Sequence, residues 1–328
     1  MARPMGAMPS SFRRWGEKLL LRFLFTLALL VSSPALADKR IALTFDDVPR
    51  KPGAFFTAEE RSGKLIAALR QARVKQVLFF VNPGHLETSN GAGGEARITD
   101  YVSAGHLIAN HSFSHQSPNR ITAEDFLADV DKGEAWLKGR PGYRPWFRFP
   151  YLHEGGNDKA KRDKVRAGLA ARGLRNGYVT ADGLDWHLEK LTIDAAAAGK
   201  TMDRKALGKL YLQMQISAVE YHDAMARSVL GRSPAHVLLL HETDLAALFI
   251  ADLVAELRQR GWTIITPDQA YRDPLRKAFP DVPWSGGTLT GALAWEKNID
   301  PPLSPLWIGE SVATHLFQRR VPKETATP

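Results

Sequence analysis

The 328-residue chain contains no cysteine, and this absence excludes several kinds of chemistry. Disulfide bonds, thiolate metal ligands and cysteine nucleophiles are all ruled out. Any metal ion would therefore be bound through nitrogen and oxygen atoms, chiefly those of histidine and carboxylate side chains.

The apolar run near the N-terminus is too short to span a membrane. It covers nine residues, 23–31, whereas a helix that crosses a bilayer needs roughly 20. Five basic residues precede it, and Ala35-Leu36-Ala37 has the small-x-small pattern of a cleavage site. We therefore expect residues 1–37 to be a signal peptide, cleaved before Asp38, and the protein to be periplasmic or secreted. An uncleaved anchor is the alternative interpretation.

Basic runs are absent, although the formal net charge is +9. The predicted signal peptide accounts for +4 of this charge, and the remaining excess is dispersed along the chain. This pattern does not predict a nucleic-acid partner, and it is compatible with proximity to an anionic cell wall or membrane surface. The composition, 44% hydrophobic and 24% charged, is typical of a folded globular protein.

Short β-rich runs alternate with amphipathic helical patterns between residues 40 and 266. Strands are predicted at 40–45, 77–81, 106–109, 146–149, 177–180, 237–240 and 262–265. Helices are predicted at 59–72, 122–137, 159–171, 202–229 and 244–260. This alternation predicts an α/β fold with a mainly parallel sheet, either open or closed into a barrel.

Two segments depart from this regular alternation. The long helix predicted at 202–229 is interpreted as part of a helical insertion, 187–235, which would either lid a site or, as we favour, only cover the barrel. Residues 273–328 are rich in proline, glycine and tryptophan without a strong period. They are expected to form an irregular C-terminal extension packed on the domain.

Ionisable residues stand at the ends of several predicted strands. Asp46 and Asp47 follow the first strand, His111 follows another, Arg148 lies in a third and His241 follows a fourth. Because the carboxyl ends of strands form the functional face of α/β folds, we expect these side chains to converge.

The pair His111 and His115 has metal-ligand spacing. Histidines four residues apart share one face of a helix and can chelate one ion. The residues between them include no glutamate that could act as a base, so the third ligand and the base must come from elsewhere. Asp46 and Asp47 can supply both, because two histidines and one carboxylate leave a position on zinc open.

Each of these features also has a purely structural explanation when it is taken alone. The Asp46-Asp47 pair could belong to a turn, Arg148 could be an ion-pair partner in the core, and His241 could be an ordinary strand-end histidine. The two histidines at 111 and 115 are a weak signal in isolation. Their joint occurrence in one order along the chain is what favours a catalytic site.

Five short motifs in this order resemble those of the polysaccharide deacetylase family, the NodB-homology domain of carbohydrate esterase family 4. They are TFDD at 44–47, HSFSH at 111–115, RFPY at 148–151, DGLDW at 182–186 and LLH at 239–241. The resemblance covers about residues 40–266 and implies a distorted (β/α) barrel. It places the catalytic domain at residues 38–272, including the insertion.

The resemblance also implies a divalent metal bound by Asp47, His111 and His115. Zinc is the first choice, although cobalt, nickel or manganese also suit such ligands. The activity implied is removal of N-acetyl groups from amino sugars in chitin-type oligomers or peptidoglycan. Alternatives are an O-acetyl ester or a small-molecule amide as substrate, or a non-catalytic glycan-binding module.

The catalytic roles follow by position in the motifs. Asp46 would be the general base, and Arg148 would keep it ionised and oriented. Tyr151 would offer its backbone N–H to the oxyanion. His241 would protonate the leaving amine, with Asp185 keeping that histidine charged.

The same motifs imply a pocket for the acetyl methyl group, lined by Trp186 and Leu239. Val48 departs from the family pattern, which usually has glycine after the two aspartates, and it is expected to add bulk near the mouth of the site. His153 and Glu154 are more polar than is usual after the third motif. They are interpreted either as surface-loop residues or as substrate contacts.

Overall fold

A computed structural model of the chain describes residues 39–283, 287–303 and 309–322. The predicted signal peptide, residues 1–37, lies outside the described residues. None of the helices in the described part of the chain is long and apolar enough to cross a membrane.

Eight parallel strands form one sheet in the described residues. They are β1 (Lys39–Val48), β2 (Leu78–Val81), β3 (Leu107–Asn110), β4 (Tyr143–Phe147), β5 (Arg175–Asn176), β6 (Ala181–Asp182), β7 (Ala235–His241) and β8 (Trp262–Ile264). Their order is β5-β4-β3-β2-β1-β7-β6, and β8 pairs with the first residues of β1. The sheet curls into a partial barrel, so the predicted α/β fold of the distorted-barrel type is confirmed.

Helices accompany the strands in chain order. The described helices are α1 (Ala58–Gln71), α2 (Gly94–Ser103), α3 (Ala123–Leu137), α4 (Lys159–Ala171), α5 (Asp185–Ala197), α6 (Arg204–Leu230), α7 (Asp244–Gln259), α8 (Pro267–Ala270), α9 (Leu289–Glu296) and α10 (Glu310–Arg320). Several of these helices begin with a side-chain cap. Thr57 and Glu60 form a capping box at the start of α1, and the Thr122 side chain accepts a hydrogen bond from the Asp125 N–H at the start of α3.

The central strands are buried on both faces, which explains their continuous apolar sequences. Every residue of β2 and β7 is buried, as are residues 41–46 of β1. Parallel strands covered on both sides read as apolar runs rather than as alternating patterns. This burial is why the sequence predicted these three strands well.

The strand predicted at 177–180 is wrong, because two shorter strands flank that segment. Gly177 donates its backbone N–H to Phe147 of β4, and Thr180 donates its own to Val237 of β7. Residues 177–180 thus connect β5, at one end of the strand order, to β6, at the other end. Tyr178 and Val179 are buried on the way, and this burial produced the strand-like pattern.

The insertion contains two helices rather than one. The predicted helix at 202–229 is confirmed as α6, which begins after the Asp203 cap and ends at Gly231, where φ is 70°. The preceding helix α5 was not predicted. Its buried positions include Asp185, Glu189 and Thr192, so its buried face lacks the apolar period that identifies a helix.

The expectation of an irregular C-terminal extension is wrong for residues 289–296 and 310–320, which are helical. Five of the eight residues of α9 are buried, which leaves this helix with little amphipathic contrast; they are Leu289, Thr290, Ala292, Leu293 and Ala294. Helix α10 packs on α5 and α6, and Ala313, Phe317 and Val321 belong to the main hydrophobic core. The expected packing of this segment on the domain is therefore observed.

We expect Leu210→Ala, in the buried face of α6, to lower the free energy of unfolding by about 2–5 kcal/mol, because it removes core contacts and leaves a cavity. Leu210 is 1% exposed. Urea unfolding monitored by circular dichroism measures the change. The matched control is the exposed neighbour Lys209→Ala, which should stay within about 0.5 kcal/mol of the wild type. Equal midpoints for both variants would show that α6 is not part of the core.

Candidate active site

The carboxyl ends of the strands bring the predicted site residues together. Asp46 lies opposite His241 in the register of β1 and β7. His111 directly follows β3, and its N–H bonds the Val81 carbonyl at the end of β2. Arg148 follows β4 and bonds Asn110 in the same way. The predicted convergence is therefore present in the structure.

Asp47, His111 and His115 form a cluster that can hold a metal ion, with one ligand atom from each residue lying within 4.8 Å of the others. Asp47 Oδ1 is 3.4 Å from His111 Nε2 and 2.9 Å from His115 Nε2. Ligand atoms about 2.0–2.2 Å from a tetrahedral zinc lie about 3.3 Å apart. Asp47 Oδ1 is also buried without a hydrogen-bond partner. The residues present thus fit a small divalent cation.

Hydrogen bonding orients the first histidine toward this cluster. His111 Nδ1 is 2.8 Å from the carbonyl oxygen of Arg148. The ring therefore donates from Nδ1 to this carbonyl and directs the lone pair of Nε2 toward Asp47. Metal-binding histidines are commonly fixed through their other ring nitrogen in this manner.

The two histidines converge through a loop and not through a helix, so the helix-face argument for their spacing is wrong. Ser112 and His115 have left-handed φ angles of 64° and 58°. Asn82 Nδ2 donates to the carbonyls of His111 and Ser112, and the Asp129 carboxylate accepts from two N–H groups of the loop. These buried acceptors and donors replace the hydrogen bonds that a helix would have made.

Left-handed backbone is concentrated around the cluster. Eight described non-glycine residues have positive φ, and six of them are at the site: Asp47, Ser112, His115, Tyr151, Leu152 and Leu184. Such conformations cost on the order of 1–3 kcal/mol each and persist only where the surrounding structure holds them. The positive φ falls on Asp47 itself, one residue before the position at which the family usually has glycine.

The Asp46 carboxylate is held by a buried arginine. Arg148 Nη1 donates to Asp46 Oδ1 at 2.7 Å and to Thr44 Oγ1 at 2.8 Å. Its Nε donates to the Gly177 carbonyl, and its Nη2 donates to Tyr271 Oη. The other oxygen, Asp46 Oδ2, lies 3.8 Å from His111 Nε2. One carboxylate oxygen is thus fixed while the other faces the metal cluster.

His241 is paired with the carboxylate of Asp185. His241 Nδ1 is 2.7 Å from Asp185 Oδ1, and the His241 backbone N–H donates to Asp185 Oδ2 at 2.7 Å. Burial lowers the pKa of His241, but the charge and hydrogen bond of Asp185 outweigh it and raise the pKa to about 9. His241 Nε2 is left 4.0 Å from Asp47 Oδ2, on the open side of the cluster.

A cavity of about 770 Å³ opens over the cluster. Its lining includes Trp186, Leu239 and Tyr151, the residues predicted to contact substrate. The Tyr151 side chain is 56% exposed, and its ring centroid is 4.6 Å from that of His115. Arg148 and Asp185 lie behind the lining, fully buried, where they contact the side chains that line it.

The three residues that depart from the family pattern lie in different environments. Val48 is fully buried in the hydrophobic core, so the expectation that it adds bulk at the mouth of the site is wrong. His153 lines the cavity and bonds Ser117 Oγ. Glu154 pairs with Arg166 and does not line this cavity.

Helix α5 forms one wall of the cavity, whereas α6 contributes none of its lining residues. The wall residues from α5 are Trp186, Glu189, Lys190, Ile193 and Asp194. Glu310 at the start of α10 also lines the cavity, and His187 bonds Thr314 of α10. Within the insertion, the first helix therefore shapes the site and the second covers the barrel.

Arg50, which stands three residues after Asp47, was not predicted as a site residue. Arg50 Nη1 donates to Asp47 Oδ2 at 2.6 Å. Its nearness to the first motif was the available signal. Asp182 was assigned no role, and it lines the cavity with a pKa that burial raises to about 6.

Comparison with known proteins identifies the family. Residues 34–171 match the family described as Polysaccharide deacetylase. This match places residues 34–171 in the polysaccharide deacetylase family. The matched residues include Asp46, Asp47, His111, His115 and Arg148, which the first three motifs contribute.

Two relatives from Bacillus cereus are both described as peptidoglycan-N-acetylglucosamine deacetylases. One is 28% identical over 163 residues, which are 49% of this chain and 53% of the relative. The other is 24% identical over 233 residues, which are 69% of this chain and 66% of the relative. The chain thus spans between about half and two thirds of the length of these relatives.

A solved structure similar to this chain is a family 4 carbohydrate esterase from Streptomyces lividans in complex with acetate. The TM-score is 0.47 at 20% identity, with 71% of this chain and 96% of the other covered.

We expect the His241–Asp185 pair to stabilise the chelator-treated protein most strongly below pH 6.5. Because the pKa of His241 is raised to about 9 from a usual value of 6.5, the folded state binds the proton more tightly than the unfolded state. This contribution declines as the pH rises from 6.5 and is lost above about 9. Denaturant unfolding of wild type and His241→Gln across this range measures it. A difference between the two proteins that does not change with pH would contradict the assignment.

Proposed function

We propose that the protein is a metal-dependent hydrolase that removes N-acetyl groups from N-acetylated amino sugars in oligosaccharides or polysaccharides. One observation carries the proposal. The Asp47, His111 and His115 cluster has a carboxylate of the Asp46–Arg148 pair on one side and an imidazole of the His241–Asp185 pair on another. A base, a cation site and an acid around one cavity are the parts that amide hydrolysis requires.

A divalent cation bound at this cluster would supply a Lewis acid and would lower the pKa of a coordinated water toward about 7. Zinc suits two imidazoles and one carboxylate best, and cobalt, nickel or manganese also accept such ligands.

The residues of this chain would move the protons. Asp46 Oδ2 faces the cluster and would take the proton of the attacking water, while Arg148 holds Oδ1. The water oxygen adds to the acetyl carbon, and the backbone N–H of Tyr151 would donate to the resulting oxyanion. His241 Nε2 would then protonate the departing nitrogen as the C–N bond breaks, which yields acetate and an amine.

The cavity supports a sugar as the substrate. Its volume of about 770 Å³ exceeds what an acetamido group alone would fill. Trp186 and Leu239 are apolar lining residues that could contact the acetyl methyl group. The relatives named above act on N-acetylglucosamine of peptidoglycan, a sugar that is also the repeating unit of chitin, so both polymers are candidate sources of substrate.

Such substrates are consistent with export of the protein. The basic, apolar and small-residue pattern of residues 1–37 supports a signal peptide. We therefore propose a periplasmic or secreted enzyme that acts close to the cell wall.

We expect the protein to release acetate from chitooligosaccharides or peptidoglycan fragments, to lose this activity with chelator, and to regain it with added zinc. An enzyme-coupled acetate assay measures the rate. The control substrates are O-acetylated xylan and a simple N-acetyl amine. Activity confined to these controls would replace the proposed substrate class. Binding of oligosaccharide without acetate release from any substrate would identify a binding module.

Asp46→Asn and His115→Ala should separate chemistry from metal binding. Asp46→Asn should retain stoichiometric zinc and lose at least about 100-fold in turnover, because only the base is removed. His115→Ala should lose the zinc itself, because one ligand is gone. Atomic emission analysis and the acetate assay measure the two properties. His315→Ala, an exposed histidine of α10, is the control. Full turnover in Asp46→Asn, or stoichiometric zinc in His115→Ala, would refute the corresponding role.

A further inference from the structure

The Asp47 carboxylate contacts two different environments through its two oxygens. Oδ1 faces His111 Nε2 and His115 Nε2 and accepts no hydrogen bond. Oδ2 accepts a 2.6 Å bond from Arg50 Nη1. A carboxylate can rotate about its terminal torsion, since that torsion has broad preferences. The Arg50 bond therefore selects which oxygen the histidines meet.

We propose that Arg50 is a positioning residue of the metal site, which holds Asp47 Oδ2 so that Oδ1 stays directed at both histidines. The inference rests on the proposed function, because it assumes that the cluster binds a cation. It adds a residue outside the five motifs to the set on which the site depends.

Arg50 is itself held in place by its main chain. Its backbone N–H donates to Glu242 Oε2 at 2.8 Å, and its carbonyl accepts from Arg61 Nη2 at 2.8 Å. Glu242 is fully buried, and its other oxygen accepts from Tyr101 Oη at 2.8 Å. Arg61 is 1% exposed and lies 3.6 Å from Glu242. Buried charges thus fix both polar groups of the Arg50 backbone.

This arrangement differs from an ordinary surface ion pair. Exposed pairs contribute little, because mobile side chains and water compete with them. Here the Arg50 and Asp47 side chains are 25% and 19% exposed. Glu242 immediately follows His241, so the Arg50 loop is attached to the strand end that supplies the proposed acid.

Lys51 offers a matched control. It carries the same charge, also lines the cavity, and its carbonyl accepts from Arg61 Nη1 at 2.7 Å. Its side chain makes no described contact with Asp47. Loss of a positive charge by itself should strengthen the binding of a cation, because like charges repel. Weaker binding after loss of Arg50 would therefore reflect orientation and not charge.

The test is zinc affinity of the full chain, measured by competition with a chromogenic chelator for wild type, Arg50→Gln, Arg50→Lys and Lys51→Gln. We expect Arg50→Gln to bind zinc about 10- to 100-fold more weakly. Arg50→Lys should recover part of the loss, and Lys51→Gln should match or exceed the wild-type affinity. The visible spectrum of the cobalt-loaded protein should change in Arg50→Gln and not in Lys51→Gln.

Unchanged or tighter zinc binding in Arg50→Gln would overturn the inference, and so would an equal loss in Lys51→Gln. Circular dichroism with chelator present shows whether Arg50→Gln folds. If it does not, Arg50→Lys is the deciding variant. Wild-type zinc affinity and an unchanged cobalt spectrum in Arg50→Lys would overturn the inference, whereas an intermediate loss of zinc affinity would support it. Tight zinc binding that depends on Arg50, in a wild type that releases no acetate, would refute the proposed function and leave this inference standing.

Discussion

The buried guanidinium of Arg148 is the contact on which the candidate site depends. Its side chain bonds Asp46, Thr44, Tyr271 and the Gly177 carbonyl, while its own carbonyl accepts from His111. A buried arginine is tolerated only when its donors are satisfied and its charge is balanced. These demands are met by β1, the segment after β5 and the segment after β8. Arg148 therefore sets both the orientation of Asp46, the proposed base, and the direction of the His111 imidazole.

Much of the fold was predictable, because buried parallel strands and well-capped helices leave clear signals. The apolar runs of β2 and β7, and the Asp203 and Gly231 boundaries of α6, are local features that tertiary structure did not override. Prediction from sequence failed for segments that are buried but lack a regular apolar period. Helix α5 buries Asp185, which bonds His241, and Glu189, which accepts from the first backbone N–H groups of α7. The segment at 177–180 is largely buried, but it does not pair along a single neighbouring strand.

The site was predictable as a set of residues but not as a set of conformations. Five motifs located residues that the structure brings together as a candidate metal cluster. The spacing of four between His111 and His115 nevertheless suggested a helix, where the chain forms a left-handed loop. That loop depends on Asn82 and Asp129, which are distant in sequence. The environments of Val48 and Arg50 were also not predictable, because tertiary packing decides whether a side chain points into the core or into the cavity.

The cavity wall formed by α5 and α10 lies outside the stretch that matches the family, residues 34–171. The candidate cation cluster and the proposed base belong to the matched stretch, whereas much of the surface that a sugar substrate would touch does not. Substitutions in the two wall helices could therefore alter substrate size or charge preference while the reaction machinery stays intact. For the proposed deacetylase, the preference for one glycan over another would then reside in these two helices, apart from the residues proposed to carry out the reaction.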